Sequence, residues 1–288
     1  LLGGASQSSC RYSVKFIDLG DAEAVPETGG TVVVDDDIGR IVIYENINGD
    51  FSSSAKQIFP LSETPRALEW GDMDGDGEYD LVVGMPGNIE IYFSHSNNTI
   101  TNWESITFPD PNVITIGRSY NIVDMEVGDL DDDGDMDIVV ASYNDDTISW
   151  YENDGASNPS WSYESIATSA DGAYDIFIVD MDNDGDLDIL SAARIDDTIA
   201  LYTNDGASDP SWSATDITTS ADGATSVFAA DMDNDGDIDI LSASKDDDTI
   251  AWYENSGGPF WSALTITNSA DYAESVFAAD MDNDGDMD

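Results

Sequence analysis

Apolar residues in this chain fall in short, β-prone runs separated by polar turns, with no stretch at helical spacing. The pattern reads best towards the C-terminal end. Ser226-Val-Phe-Ala-Ala230 is a first strand, and an acidic loop follows it. Ile240-Leu-Ser-Ala-Ser244 is a second strand and Lys245-Asp-Asp-Asp248 a tight acidic turn. Thr249-Ile-Ala-Trp-Tyr-Glu254 is a third, alternating as a strand with one buried face should. Ser256-Gly-Gly-Pro259 turns the chain into a fourth strand, Trp261 to Thr267. Earlier copies of that turn, Asn153-Asp-Gly and Asn204-Asp-Gly, have strong turn chemistry of their own.

The order recurs. Loops of the form D-x-D-x-D-G-x-x-D begin at Asp72, Asp129, Asp180, Asp231 and Asp280, spaced 57, 51, 51 and 49 residues apart. A near-constant period of this kind is the signature of a repeat architecture. Full units are read at 63–120, 121–171, 172–222 and 223–271, with a partial unit at 272–288 and a leader or linker at 1–11. Residues 12–62 form a degenerate unit. Val14-Lys-Phe-Ile-Asp18 resembles the strand before a loop and Thr31–Asn46 aligns with Asp239–Asn255, but the ligand spacing between them is lost. Four short antiparallel strands per unit predict an all-β fold, a β-propeller of four-stranded antiparallel blades with calcium loops between the first two strands of each blade. A stacked β-solenoid is the alternative, but its repeats are shorter and lack hairpin turns. The last unit stops at Asp288, the final ligand of its own loop, so about six or seven blades are expected in an intact protein. Alternatively, the final strand and loop close against the Thr31–Val34 strand.

The loops carry the chemistry. Carboxylates at positions 1, 3 and 5 converge when the backbone curls, the Gly at position 6 takes the turn conformation that a Cβ resists, position 7 offers its carbonyl, and the Asp at position 9 closes the shell. Such an all-oxygen cage suits Ca²⁺, whereas Mg²⁺ prefers a water-rich octahedron. An EF-hand would need a Glu at position 12 and flanking helices, and neither is present. The competing reading is an acidic, solvated turn without metal; five copies with Gly in register favour about five Ca²⁺ ions. The expected ligand residues are Asp72, Asp74, Asp76, Glu78 and Asp80; Asp129, Asp131, Asp133, Asp135 and Asp137; Asp180, Asp182, Asp184, Asp186 and Asp188; Asp231, Asp233, Asp235, Asp237 and Asp239; and Asp280, Asp282, Asp284, Asp286 and Asp288. The Asp-Asp-Thr turns at Asp145, Asp196 and Asp247 lack this spacing and read as capped hairpin turns.

Charge narrows the partners. Asp and Glu number 61 against 8 Lys and Arg, a formal charge of −53, and 26 of the acids sit in the five loops. A surface this acidic repels nucleic acid and anionic membrane. No apolar run is long enough to insert into a bilayer. Weak calcium loops fill where calcium is millimolar, which points outside the cell. Cys10 is the single cysteine, read either as a free thiol or as half of a bridge to another chain. Asn97-Asn-Thr99 is a possible glycosylation sequon at Asn97.

With these residues in hand, the chain resembles the FG-GAP/VCBS repeat family, the calcium-loop propellers typified by the integrin α-subunit head. The resemblance covers about 12–288 and rests on the five loops; of the Phe-Gly and Gly-Ala-Pro signature only Gly84-Met-Pro86 is a faint echo. The Asp-Met-Asp-Asn-Asp-Gly-Asp loop followed by Trp-Tyr-Glu-Asn is more similar to the VCBS-type repeats of secreted surface proteins. The resemblance implies ions along one rim and partners or glycans at the other.

Three functions are weighed. The first is a non-enzymatic extracellular module for adhesion, recognition or structural assembly, with a protein or glycan ligand or further chains of an extracellular assembly as partners. The second is a lectin-like propeller in which Trp161, Trp212 and Trp261 stack on sugars, against the reading that these residues pack between blades. The third is an enzyme acting on polysaccharides. The lone His95, the placement of Cys10 and the lack of a triad, phosphate loop or zinc spacing all speak against it.

Overall fold

The computed structural model describes residues 65–77, 79–93, 121–257, 260–282, 285 and 287, together with the backbone of the strands between 14 and 60. The first sheet contains β1 (Val14–Ile17), β2 (Gly30–Asp35), β3 (Arg40–Ile47), β4 (Asp50–Phe51) and β5 (Gln57–Pro60). β2 lies between β1 and β3, while β3 pairs with both β4 and β5. Both edges of β2 are therefore occupied, which removes the alternative that a C-terminal strand pairs with Thr31–Val34. The second sheet is β6 (Ala67–Gly71), β7 (Asp80–Met85) and β8 (Asn88–Tyr92) among the described residues.

Three complete sheets follow. They are β9 (Ile122–Gly128) to β12 (Trp161–Ala167) by way of β10 (Asp137–Ser142) and β11 (Thr147–Asn153); β13 (Ala173–Val179), β14 (Asp188–Ala193), β15 (Thr198–Thr203) and β16 (Ser213–Thr218); and β17 (Ala224–Ala230), β18 (Asp239–Ser244), β19 (Thr249–Asn255) and β20 (Trp261–Thr267). Each is a four-stranded antiparallel meander, the blade of a β-propeller. In the last sheet the first strand begins two residues ahead of the expected Ser226, and the second strand takes in Asp239, which already pairs with Ala230 across the ladder. Ser275–Ala279, in the partial unit 272–288, shows no ladder pairing.

Burial explains the order of strands within a sheet. First strands touch one another from blade to blade, β6 with β9, β9 with β13 and β13 with β17. Every residue of β10, β14 and β18 is buried, since these strands are covered on both faces by neighbouring sheets. The fourth strands, β12, β16 and β20, are largely exposed. The apolar core is consequently not inside a sheet but between sheets. Val139, Ala141 and Trp150 of one blade pack with Ile176, Ile189 and Tyr202 of the next, and Leu190, Ala192 and Leu201 pack in turn with Val227, Ile240 and Tyr253.

Polar ties reinforce this packing. The Asp124 carboxylate accepts the Ile176 N–H at 2.9 Å, and Asp175 accepts the Val227 N–H at 2.8 Å, each joining one first strand to the next. At the following junction Ser226 takes the same place, with its hydroxyl 3.4 Å from the Val276 nitrogen. The acidic hairpin turns serve the same end. Asp146, Asp197 and Asp248 adopt positive φ of 56–58°, and their carboxylates accept the N–H groups of Gly172, Gly223 and Tyr272 in the linker to the next blade.

Asp175→Ala would leave the Val227 N–H without its partner. The expected loss is about 1–3 kcal/mol, read as a lower urea midpoint, with a smaller loss for Asp175→Ser, which copies the Ser226 junction.

Candidate metal centres in the acidic loops

The acidic loops from Asp72, Asp129, Asp180 and Asp231 each join the first strand of a sheet to the second, and their shape is set by backbone hydrogen bonds to their own carboxylates. The first Asp does most of this: Asp129 Oδ1 accepts the Asp133 N–H and Oδ2 the Gly134 N–H, at 3.1 and 3.0 Å. The same pair of bonds recurs at Asp72, Asp180 and Asp231, and Asp280 accepts the Gly285 N–H. Gly134, with φ of 97°, occupies the left-handed turn position as expected. A second left-handed position was missed. Position 4 has φ of 56–71° in four loops, where Gly75, Asp132, Asn183 and Asn234 stand. Gly, Asn and Asp are the residues that tolerate this conformation, so the signal was present in the sequence.

The last Asp of the loop is buried. Asp80, Asp137 and Asp239 are fully inaccessible and Asp188 is 1% exposed. In each, Oδ2 accepts the N–H of the second loop residue, from Met73, Leu130, Met181 or Met232. Oδ1 of Asp137, Asp188 and Asp239 accepts the backbone N–H of Asn153, Asn204 or Asn255 at the end of the third strand. These asparagines are structural residues that the sequence reading took only as turn formers. Asn153 Nδ2 donates to Met136 O of its own loop and, at 3.0 Å, to Met73 O of the preceding one. Asn204 does the same to Leu187 O and Leu130 O. The recurrence of Asn at the end of each third strand was the available signal.

Carboxylate oxygens then converge. Asp72, Asp74 and Asp80; Asp129, Asp131 and Asp133; Asp180, Asp182 and Asp188; and Asp231, Asp233 and Asp239 each bring three oxygens within 4.8 Å of one another. Positions 1, 3 and 9 meet in three loops, and positions 1, 3 and 5 in the loop from Asp129. Position 7 does not contribute its carboxylate to these groups. A Cβ on Gly155 would lie 1.9 Å from Asp135 Oδ2, and one on Gly206 2.2 Å from Asp186 Oδ2. The Asp135 and Asp186 side chains thus lie against the turn into the fourth strand. Glu78, Asp284, Asp286, Asp288, Asn97, His95 and Cys10 lie outside the described residues.

Burial leaves the cluster's charge poorly compensated. Asp131 is 9% exposed, and its Oδ1 is buried with no hydrogen-bond partner. Burial above all, then the neighbouring Asp133 charge, pushes its pKa up to about 6. Burial likewise raises Asp137 to about 7 and Asp188 to about 6, against the opposing pull of their backbone N–H donors. A buried carboxylate oxygen with no donor, beside two more carboxylates, fits a hard divalent cation with oxygen ligands.

The tryptophans at the start of the fourth strands are inter-blade packing residues. Trp161, Trp212 and Trp261 are half-buried and each lies against a core shared by two sheets.

A family model described as an FG-GAP-like repeat matches residues 31–83, 72–140, 129–191, 180–242 and 231–288. No curated protein matches the chain. Among solved structures, a chain of the Chaetomium thermophilum polycomb repressive complex 2 is similar at 15% identity and a TM-score of 0.55, over 96% of this chain and 56% of that one. The V. cholerae biofilm matrix protein Bap1 matches at 18% identity and a TM-score of 0.49, over 93% and 40% of the two chains. An Agrocybe aegerita lectin recognising non-reducing terminal N-acetylglucosamine matches at 12% identity and 0.46, over 92% and 82%. The chain spans less than two thirds of the first two, and at 15% identity the polycomb-complex chain shows the fold alone.

The raised carboxylates give the metal-free protein a pH dependence of definite sign. Between an unfolded Asp pKa of about 3.9 and the folded values of about 6 to 7, the native state binds more protons than the unfolded chain. In chelator, the melting temperature should therefore fall as pH rises from about 4 to about 7. With excess calcium the fall should vanish or reverse, because the metal requires the ionised ligands.

Proposed function

Because this chain belongs to the FG-GAP-like repeat family, we propose that it is a calcium-stabilised β-propeller module that works outside the cell in adhesion, recognition or structural assembly, without a catalytic step of its own. The observation that carries the calcium reading is the buried, donor-less Asp131 oxygen within a triad of carboxylates. Calcium would be held by the carboxylates at positions 1, 3, 5 and 9, with a carbonyl from position 7, and would supply the positive charge that these buried oxygens lack.

The loop is also a junction. The asparagine that receives the last loop Asp donates to the loop of the blade before it, so an ion that orders one loop stiffens two blades. A rigid, strongly acidic surface of this kind suits a binding or scaffolding role in calcium-rich surroundings, where partners are extracellular proteins, glycans or other chains of an assembly. No described helix is long and apolar enough to cross a membrane, and net charge of −53 disfavours nucleic acid as a partner.

Calcium at a hundredfold excess over its Kd should add about 2.7 kcal/mol for each filled loop. Asp131→Asn and Asp235→Ala should each lower the melting temperature in calcium; in chelator Asp235→Ala should change it little, and Asp131→Asn, which removes a carboxylate that burial makes costly to ionise, should hold or raise it. An equal loss in both conditions would remove the metal role. Glycan and extracellular-protein arrays probed in calcium test recognition itself; selective capture abolished by chelator is expected, and silence from folded, calcium-loaded protein would leave only a structural role.

A further inference from the structure

The sheets repeat so closely that the points where they differ carry information. On the face each sheet turns towards its predecessor, residues of the third and fourth strands close the gap between blades. In the β9–β12 sheet Tyr163 stands opposite Tyr151 in register. Their rings meet edge-on with centroids 5.3 Å apart, and the Tyr163 hydroxyl lies 3.3 Å from Ser149 Oγ. In the next sheet the residue opposite Tyr202 is Ala214. A second difference adds to the first. Tyr253 interacts with the hydroxyl of Thr218, the last residue of the preceding fourth strand; the residue at that place before Tyr202 is Ala167. The ring is absent at the following gap too, where Ala263 stands opposite Tyr253, but this gap lacks the hydroxyl as well, and a cavity of about 410 Å³ opens between these two blades.

Its lining is chemically one-sided. Ser191, Thr198 and Tyr202 contribute hydroxyls, Asp196 and Asp216 contribute carboxylates, and alanines form much of the wall, with no Lys, Arg or His among the lining residues. Ser191 is fully buried and its Oγ has no hydrogen-bond partner within 3.5 Å. Burial first of all, and then the charges of Asp196 and Asp216, raise the Tyr202 phenol, against the opposing effect of Ser191. Both carboxylates therefore act on the interior of the cavity, although both side chains reach solvent. Every polar side chain here can accept a hydrogen bond, and the ionised carboxylates can do nothing else.

We propose that this cavity binds the ammonium end of an alkylamine, with the nitrogen donating to Asp196, Asp216 and the hydroxyls and the alkyl stem lying along the alanine wall. An ammonium group has three donors and no acceptor, which suits carboxylates that only accept and hydroxyls that can accept, and its charge offsets carboxylates that a neutral polyol would leave uncompensated. The volume lies within the ~300–1,000 Å³ typical of small-ligand sites. A free diamine and a lysine side chain of a partner share this chemistry. The inference is independent of the calcium reading, since its residues belong to other turns and strands.

The test is calorimetric titration of the full chain, in calcium and at physiological salt, with cadaverine and separately with Nα-acetyl-lysine amide. Saturable binding is expected, lost in Ala214→Tyr, which fills the gap with the residue of the β9–β12 sheet and leaves the charge unchanged. Asp216→Thr, which copies Thr265 of the following sheet, should weaken binding about tenfold or more and carries the test if the tyrosine variant melts early. Binding of both probes assigns a lysine side chain as a sufficient source, and binding of cadaverine alone assigns a free amine. Unchanged binding in both variants would mean that amines merely sample the acidic surface. That result, or the absence of saturable binding, or capture of glucose in place of either amine, would overturn the proposal.

Discussion

The fold depends on a buried carboxylate at the end of each acidic loop. Asp137, Asp188 and Asp239 each receive one backbone N–H from the start of their loop and another from the end of the third strand. Three segments that would otherwise diverge are pinned to one side chain. Burial makes such a group costly to ionise, and its backbone donors recover only part of that cost. A protein that repeats this arrangement repeats that cost at every such loop, which is the ground for the proposed calcium sites.

Coupling runs sideways because the core lies between sheets. Blades contribute one face each to a shared apolar layer, and no single sheet buries enough surface to stand alone, as in other repeat proteins. Directional bonds set the register of that layer. Asp124 and Asp175 bridge successive first strands, while Asn153 and Asn204 bridge successive loops. The polar residues of this chain are therefore not surplus surface charge; many are the joints between its units.

Repetition also sets a background against which single substitutions stand out. Tyr163 closes one inter-blade gap, and Ala214 with Ala167 leaves the next one open, at the same register. The strand pairing keeps the same register in both sheets. A repeat fold can thus acquire a pocket through side chains alone.

Much of this was legible in the amino-acid sequence. The period of the D-x-D-x-D-G-x-x-D loop and the short β-prone runs around it fix strand number per unit, antiparallel hairpins and the placement of the loops, because these depend on residues close together in the chain. Convergence of positions 1 and 3 with 5 or 9 was likewise local, set by Gly134 and its equivalents. What neighbours decided could not be read locally. The side chains of Asp135 and Asp186 turn to Gly155 and Gly206, and the role of Asn153 becomes visible only once its partner Met73, 80 residues away, is beside it. Trp161, Trp212 and Trp261 carry no mark in sequence of the neighbour they meet; only the assembled sheets show them partly buried against an inter-sheet core. Periodicity determines the unit and its loop, whereas burial, charge and the open gap at Ala214 are properties of two units in contact, and only the tertiary structure brings those units together.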